Sequence, residues 1–303
     1  MSSHSQCPEA GARSRMLTLP LLLLALAPAI GPVPLRGQDA LPPPDSGWTP
    51  LFNGRDLSGW TPKIRGYALG EDPLGTFRVE EGLLTVGYEG YDTFQERFGH
   101  LFHETPYSAY RLLVEYRFVG EQVPGGPGWA LRNSGVMFHS QDPATMGLSQ
   151  DFPVSLEAQF LGGNGVDPRP TLNLCTPGTH VEMAGELVEQ HCVTADSPTF
   201  HGEAWVTVEL IVRGGDRIVH LVQGDTVLTY GHPVVGGGVV DGVPPDVKVD
   251  GTLLTGGFIA LQSESHPVQF RRVWIRELDP GPSGGAVNEA FRLLDRTAPS
   301  HSR

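Results

Sequence analysis

The chain has 303 residues, with 34 acidic against 21 basic side chains and a formal net charge of −13. No basic run is present that could follow a phosphate backbone, and the overall field repels nucleic acid and anionic membrane surfaces alike. Glycine (39) and proline (27) are abundant and long polar helices are missing, so short strands and turns are expected in a chain too apolar to be disordered.

Arg13 and Arg15 precede an apolar run over residues 17–30, and Pro and small residues follow as far as Gln38-Asp39-Ala40. This is the layout of a secretory signal peptide. The run is shorter than the roughly 20 residues a membrane span requires, and Pro20 and Pro28 interrupt or bound it. The expected organisation is a processed region over 1–40, one β-sandwich domain over 41–279 and a short tail over 280–303. Export to the periplasm or beyond is expected, with no membrane insertion once the signal is removed. After removal of the signal, Cys175 and Cys192 remain, and in an oxidising compartment they read as one disulfide. A metal pair is the alternative, but no CxxC spacing or second pair accompanies it.

Residues 41–50 form a Pro-rich approach to Leu51-Phe52-Asn53-Gly54, where Asn-Gly marks a tight turn. Short strands are predicted at 76–79 and 83–86. Over 107–119 the alternation is plain: Tyr110, Leu112, Val114, Tyr116 and Phe118 share one face, and Arg111, Glu115 and Arg117 the other. A Gly/Pro-rich loop over 121–129 leads to strands at 134–139 and 154–161. In the second of these, Leu156, Ala158 and Phe160 oppose Glu157 and Gln159. Two short strands, 179–183 and 187–193, make up the cysteine-containing part, and 205–213, 217–222 and 226–230 read as a meander. Residues 231–252 are predicted as a mobile loop, and strands at 257–262 and 268–278 close the body. Many strands without a βαβ rhythm indicate two packed antiparallel sheets.

None of GxSxG, HExxH, GxGxxG after a strand, or an EF-hand loop occurs. The candidates for chemistry are polar side chains on strands otherwise built for packing. Arg132 and Asn133 lead into the strand that ends at His139, and period-two counting puts Gly135, Met137 and His139 on one face. If this strand neighbours the one bearing Glu157 and Gln159, a guanidinium, an imidazole, a carboxylate and an amide converge. Such a set can hold sugar hydroxyls and move protons; the plainer alternative is a solvated sheet face. A second set is Gln262, Glu264 and His266, the last placed in a turn by Pro267. His180, Glu182 and His191 flank the cysteine hairpin and are the candidates for a divalent ion, at loose spacing. No other cofactor is indicated. Trp129, in the Gly/Pro loop, is placed to stack on a sugar ring, whereas Trp48, Trp60, Trp205 and Trp274 read as packing residues.

The residues Thr49-Pro50-Leu51-Phe52-Asn53-Gly54-Arg55-Asp56-Leu57-Ser58-Gly59-Trp60, Arg132-Asn133-Ser134-Gly135-Val136, Glu157-Ala158-Gln159 and Gly257-Phe258-Ile259-Ala260-Leu261-Gln262, with Val268-Gln269-Phe270-Arg271, resemble the 3-keto-disaccharide hydrolase (3-keto-glycoside lyase/hydratase) domain. The likeness spans about residues 48–278. The insert from Cys175-Thr176-Pro177-Gly178 to His191-Cys192 resembles a subset found in planctomycete-like bacteria. This chain departs from the common family pattern at Leu131-Arg132-Asn133, where a glycine often precedes the asparagine, and at Gln262-Ser263-Glu264-Ser265-His266, where Gln-Asp-His-Gly is frequent.

The resemblance implies an all-β concanavalin A-like (lectin/glucanase) jelly-roll sandwich acting on sugars oxidised at carbon three. The expected partner is a carbohydrate, a 3-keto-glycoside, and the oligomeric state is left open. Glu157 or His139 is the expected base at carbon two, Arg132 or a bound divalent ion the enolate stabiliser, and His266 the acid. Asn133, Gln159, Trp129, Gln262 and Glu264 are the expected substrate contacts. A non-catalytic carbohydrate-binding module and an envelope interaction protein are the rival readings. An ordinary glycanase fits less well, because the strand 157–159 offers a single carboxylate.

Overall fold

The computed structural model describes residues 45–279, so the expected signal region and C-terminal tail lie outside the described residues. In chain order the strands are β1 (Thr49–Pro50), β2 (Trp60–Ile64), β3 (Phe77–Glu80), β4 (Leu83–Val86), β5 (Gly99–His103) and β6 (Ala109–Phe118). Then come β7 (Asn133–Ser140), β8 (Leu156–Leu161), β9 (Asn173–Cys175), β10 (Thr179–Met183), β11 (Glu186–Val188) and β12 (Cys192–Val193). The last are β13 (Val206–Arg213), β14 (Arg217–Val222), β15 (Asp225–Val235), β16 (Phe258–Ser263) and β17 (Val268–Glu277). The only helical elements among the described residues are two short 3₁₀ turns, Gly128–Ala130 and Pro143–Thr145, and none is long and apolar enough to cross a membrane.

These strands form a concanavalin A-like sandwich. The larger, ten-stranded sheet runs β11-β10-β15-β14-β13-β6-β17-β4-β3, with β1 paired to β17; the smaller, seven-stranded sheet runs β12-β9-β8-β7-β16-β5-β2. The inward alternation expected on β6 is present, and Leu112, Val114, Tyr116 and Phe118 are buried in the main core. Val136 and Phe138 on β7, Leu156, Ala158 and Phe160 on β8, and Ile259 and Leu261 on β16 meet them from the other sheet. Tyr116 and Phe160 stack across the gap with centroids 4.1 Å apart at 5°. Such a pair contributes about 1 kcal/mol beyond its area.

The expected strand over 187–193 is instead two strands in different sheets, β11 and β12. The chain crosses between sheets here, and the Cys175–Cys192 disulfide ties edge strand β12 to β9, where the two cysteines pair directly. β2, β5 and β9 were not anticipated. The expected loop over 231–252 is partly strand, since β15 runs on to Val235.

Trp48, Trp60 and Trp274 pack as expected, with the Trp60 indole donating to the Leu51 carbonyl at 2.8 Å. Trp205 does not. It lies just before β13, half-buried between the guanidinium groups of Arg117 and Arg271, 4.7 and 4.5 Å from its ring centre.

Candidate active site

Ladder registers set a row of polar side chains across the outward face of the smaller sheet. Lys63 on β2 lies opposite His100 on β5, and His100 opposite Gln262 on β16. On the other side, Gly135 on β7 faces Gln159 on β8, which faces Asn173 on β9. The Leu261–Val136 pairing places Gln262 alongside Gly135 and joins the two halves. One step along the strands, Phe102, Ala260 and Met137 form an apolar strip closed by Met146 and Phe258.

By register Glu157 belongs to the apolar strip, opposite Met137 and Cys175. Its side chain leans over Gly135 instead. A Cβ at position 135 would stand 2.8 Å from Glu157 Oε1 and 3.0 Å from its Cγ. Only a glycine there leaves room for the carboxyl group to reach the polar row.

Glu264 approaches from the end of β16, where the chain is pinned. The Tyr88 hydroxyl lies 2.8 Å from Ser263 Oγ and accepts the Ser265 N–H at 2.7 Å. Gln122 donates to Ser265 Oγ and to the Pro127 carbonyl, both at 2.8 Å, which ties the loop over 121–129 to the same point. Ser265 turns the chain with φ 95° while Glu264 and His266 stay buried on either side of it. Burial pushes the Glu157 carboxyl up to about 8. Burial and the nearby charge of Glu157 push Glu264 well above the usual carboxylate range. Two carboxyl groups so placed ionise one after the other, as a pair.

Unpartnered buried atoms concentrate on this face. They include Glu157 Oε1, Glu264 Oε2, Asn133 Oδ1, both amide atoms of Gln262 and both ring nitrogens of His100 and His266. Each such atom costs about 1–3 kcal/mol when no partner is supplied. A polar ligand laid along the row would supply partners to several at once. Gln159 is held in place by the Asn173 amide at 2.9 Å, and Asn173 in turn accepts the Ala195 N–H at 2.9 Å.

Burial first, then the positive charges of Arg132 and Arg169, lower the His266 imidazole to about 4, so it is neutral at pH 7. Its ring meets Phe118 edge-on. Arg132 donates to the Gly202 carbonyl at 2.8 Å and Arg169 to that of Leu131 at 2.6 Å, which fixes both guanidinium groups at this end. At the His100 end the border is aromatic. Trp129, 54% exposed, stacks on Phe98 at 5.8 Å, Phe98 meets Phe152 at 4.9 Å, and Phe152 meets His100 edge-on at 5.9 Å.

The structure thus gathers Glu157, Gln159, Asn133, Gln262 and Glu264 on one face, with Arg132, His266 and Trp129 at its borders. His139 is not among them. Between Phe258–Ser140 and Ala260–Met137 the ladder slips, so β7 carries one residue more than β16. His139 takes up the bulge with φ 46° and turns inward, its Nε2 2.9 Å from the Gly214 carbonyl of the larger sheet. Period-two counting fails at a bulge.

His180, Glu182 and His191 do not converge either: Glu182 pairs with His232 at 3.0 Å, and His180 lies against Gly236 and Gly237. Among the described residues, the one trio of possible metal ligands with donor atoms within 4.8 Å is Cys175, His191 and Cys192, whose sulfurs are already joined to each other. Lys63, His100 and Arg169 are the site residues the sequence did not single out; the first two sit on the unanticipated strands β2 and β5.

Two antiparallel sheets packed in this order make the concanavalin A-like (lectin/glucanase) fold, here with a polar, partly unsatisfied outer face. The chain belongs to the 3-keto-alpha-glucoside-1,2-lyase-like domain family, whose model matches residues 47–276. No curated protein matches it. Among solved structures, it is similar to a candidate glycosyl hydrolase from Parabacteroides distasonis at 20% identity, with 77% of this chain and 95% of that one covered and a TM-score of 0.48. A second candidate glycosyl hydrolase from the same organism is 18% identical, with 76% and 99% covered and a TM-score of 0.44. A carbohydrate-binding module from Bacillus subtilis is 11% identical, with 76% and 96% covered and a TM-score of 0.36.

Proposed function

We propose that the chain cleaves 3-keto-glycosides by elimination and hydration at the face that bears Glu157 and Glu264. The observation that carries this reading is the buried carboxyl pair beside Gly135, set among unpartnered amide and imidazole groups in a domain of the lyase-like family. A ketone at carbon three acidifies the hydrogen on carbon two, because the electron pair left behind spreads into the carbonyl. Glu157, whose carboxyl leans over Gly135 into the polar row, takes that proton and an enolate forms. The enolate collapses to a C1–C2 double bond as the C1–O bond breaks. Glu264, held well above the usual carboxylate range by burial and the charge of Glu157, delivers a proton to the departing oxygen. Water then adds its hydroxyl to carbon one and its proton to carbon two, and the free 3-keto sugar results.

The acid role expected of His266 passes to Glu264 in this scheme. His266 is neutral at pH 7 and serves as a hydrogen-bond partner for hydroxyls. Arg132 and Arg169 supply positive potential as the anionic enolate forms. Gln262 and Asn133 orient the ring, and Trp129 stacks on it.

The test is to incubate the chain with a chromogenic 3-keto-glucoside in D₂O, with and without EDTA. Expected are aglycone release, deuterium at carbon two and a transient unsaturated ketone, all lost in Glu157→Gln. An absence of turnover across a panel of keto-glycosides, with divalent ions added back, overturns the reading. Release from an unoxidised glycoside would assign the carboxyl pair to direct hydrolysis. Saturable sugar binding without turnover would leave a binding module, the reading that the exposed Trp129 favours.

A further inference from the structure

The elimination scheme makes no use of Lys63 and His100, yet both are as deeply enclosed as the groups it does use. Lys63 is 2% exposed, and its Nζ donates only to the neighbouring Ile64 carbonyl, at 3.3 Å. Burial lowers its ammonium pKa, and no carboxylate among the described residues offsets that fall. A buried cation without a counter-charge is costly, and such groups are ordinarily paired. Directly opposite, His100 is fully buried with both ring nitrogens free of partners. Burial and the charge of Lys63 hold its imidazole at about 3, so it presents one N–H donor and one acceptor nitrogen at neutral pH.

Two residues beyond Lys63, Arg65 opens onto a pocket of about 360 Å³ that it lines with Tyr67, Glu96 and Arg97. Arg65 binds Glu96 at 2.7 Å, and Arg97 lies over the Tyr91 ring, so the pocket keeps one cation in excess. In a chain of net charge −13, Lys63, Arg65 and Arg97 make a local positive field beside the aromatic wall of Phe98, Phe152 and Trp129. Cationic donors next to a stacking surface suit a saccharide that carries a negative charge.

We propose that Lys63, assisted by His100, binds an anionic substituent of the saccharide, a carboxylate or a sulfate ester, while the ring lies along the row toward Glu157. The proposal rests on the carbohydrate reading of this face, but not on the elimination chemistry. It makes the site selective for acidic sugars, with Arg65 and Arg97 drawing the ligand toward the Lys63 end.

Calorimetric titration of the chain with methyl glucuronide, methyl glucoside 6-sulfate and methyl glucoside tests it, alongside turnover of a 3-keto-glucoside. At least one charged ligand should bind about tenfold or more tighter than the neutral one, the scale of a charge-assisted hydrogen bond. Which of the two does so names the substituent. Lys63→Met should abolish that preference, and Lys63→Arg should keep it. Equal affinity for all three ligands, or an equal loss for all three in Lys63→Met, overturns the subsite. Keto-glycoside turnover without a charge preference overturns the subsite alone. A charge preference without turnover supports the subsite and sinks the elimination scheme. No binding and no turnover sinks both.

Discussion

The outward faces of the two sheets use similar polar residues to opposite ends. On the larger sheet the charges are matched. Glu115 accepts from Thr207 and Arg271 at 2.9 Å and lies 3.2 Å from Arg272, Arg111 pairs with Glu209, and Trp205 fills the space between Arg117 and Arg271. On the smaller sheet Glu157, Glu264, Gln262, His100 and His266 all carry buried atoms with no partner. The buried histidines repeat the contrast. His139 reaches across the sandwich to the Gly214 carbonyl in the β13–β14 turn. His220 on β14 reaches across to the Leu172 carbonyl while its other nitrogen bonds Tyr230 on the neighbouring strand, so both histidines act as ties between the layers. His100 and His266 meet aromatic rings, Phe152 and Phe118 among them, and their ring nitrogens make no hydrogen bond. Matched polarity marks a scaffold, and unmatched burial marks a place where a ligand completes the set.

The sharpest way to break this comparison is Glu157→Gln. If the unmatched carboxyl is the base, turnover of a 3-keto-glucoside should fall about 10²–10⁴-fold with the fold intact. Retained turnover would put the chemistry elsewhere. Gly135→Ala is the subtler version. The position does not have a positive φ, but the new Cβ would crowd the Ala158 carbonyl at 3.1 Å and, more severely, displace the Glu157 carboxyl at 2.8 Å. A loss of about 10–100-fold in kcat with little change in KM is expected, on the scale of a misplaced catalytic group.

How much of this was legible beforehand follows the same divide. β6, β8 and β13 alternate in sequence, because one face of each packs on apolar core residues and the other carries polar side chains. β5 reads Gly-His-Leu-Phe-His with all five residues buried, so no alternation betrays it, and β2 carries Pro62, which argues against a strand except at an edge, where β2 lies. Lys63 and His100 were hidden with their strands. Glu157, Gln262 and Glu264 stood out individually. Their meeting depends on β16 lying between β5 and β7, an adjacency of distant segments that no local pattern encodes. His139 misled because a single bulge reverses its direction.

On the matched face the reverse outcome is expected. Glu115→Ala strips a buried carboxylate from Arg271, Arg272 and Thr207 and should cost about 2–3 kcal/mol of stability, at the low end for a buried pair because the arginines are partly exposed. Turnover by the fraction that remains folded should be unchanged. A denaturant titration run beside an activity assay separates the two, and a loss of specific activity would show that the faces are coupled.

The pH dependence sharpens the same contrast. Because Glu157 is raised to about 8, kcat/KM should climb about fivefold between pH 7 and pH 8 as its base form appears. The same shift acts on stability with a definite sign. The folded state holds this proton more tightly than the unfolded chain does, so the contribution is complete below about pH 4.5 and is lost as pH rises through 8. His139 and His220, lowered to about 4, act in the opposite sense: their contribution is complete above about 6.5 and is lost as pH falls through 4. Thermal melts of the wild type should therefore weaken at both ends. Glu157→Gln should lessen the alkaline decline, leaving the part that the still-raised Glu264 carries, with the acid side unchanged. A Glu157→Gln melt that still weakens toward pH 8 as the wild type does would mean that another group carries that proton.

The smallest effect concerns the border. Trp129 is more than half exposed and rests its ring on Phe98, so the wall behind it stays closed if it is truncated. The fold should not notice Trp129→Ala, because the indole buries little of the core. What it loses is a flat apolar surface at the edge of the row, and sugar stacking of this kind is worth about 0.5–1.5 kcal/mol. KM for a keto-glycoside should rise about threefold to tenfold while kcat holds, since stacking acts equally on the ground state and the transition state. A fall in kcat with KM unchanged would mean that Trp129 orients the reacting carbon rather than merely retaining the ring.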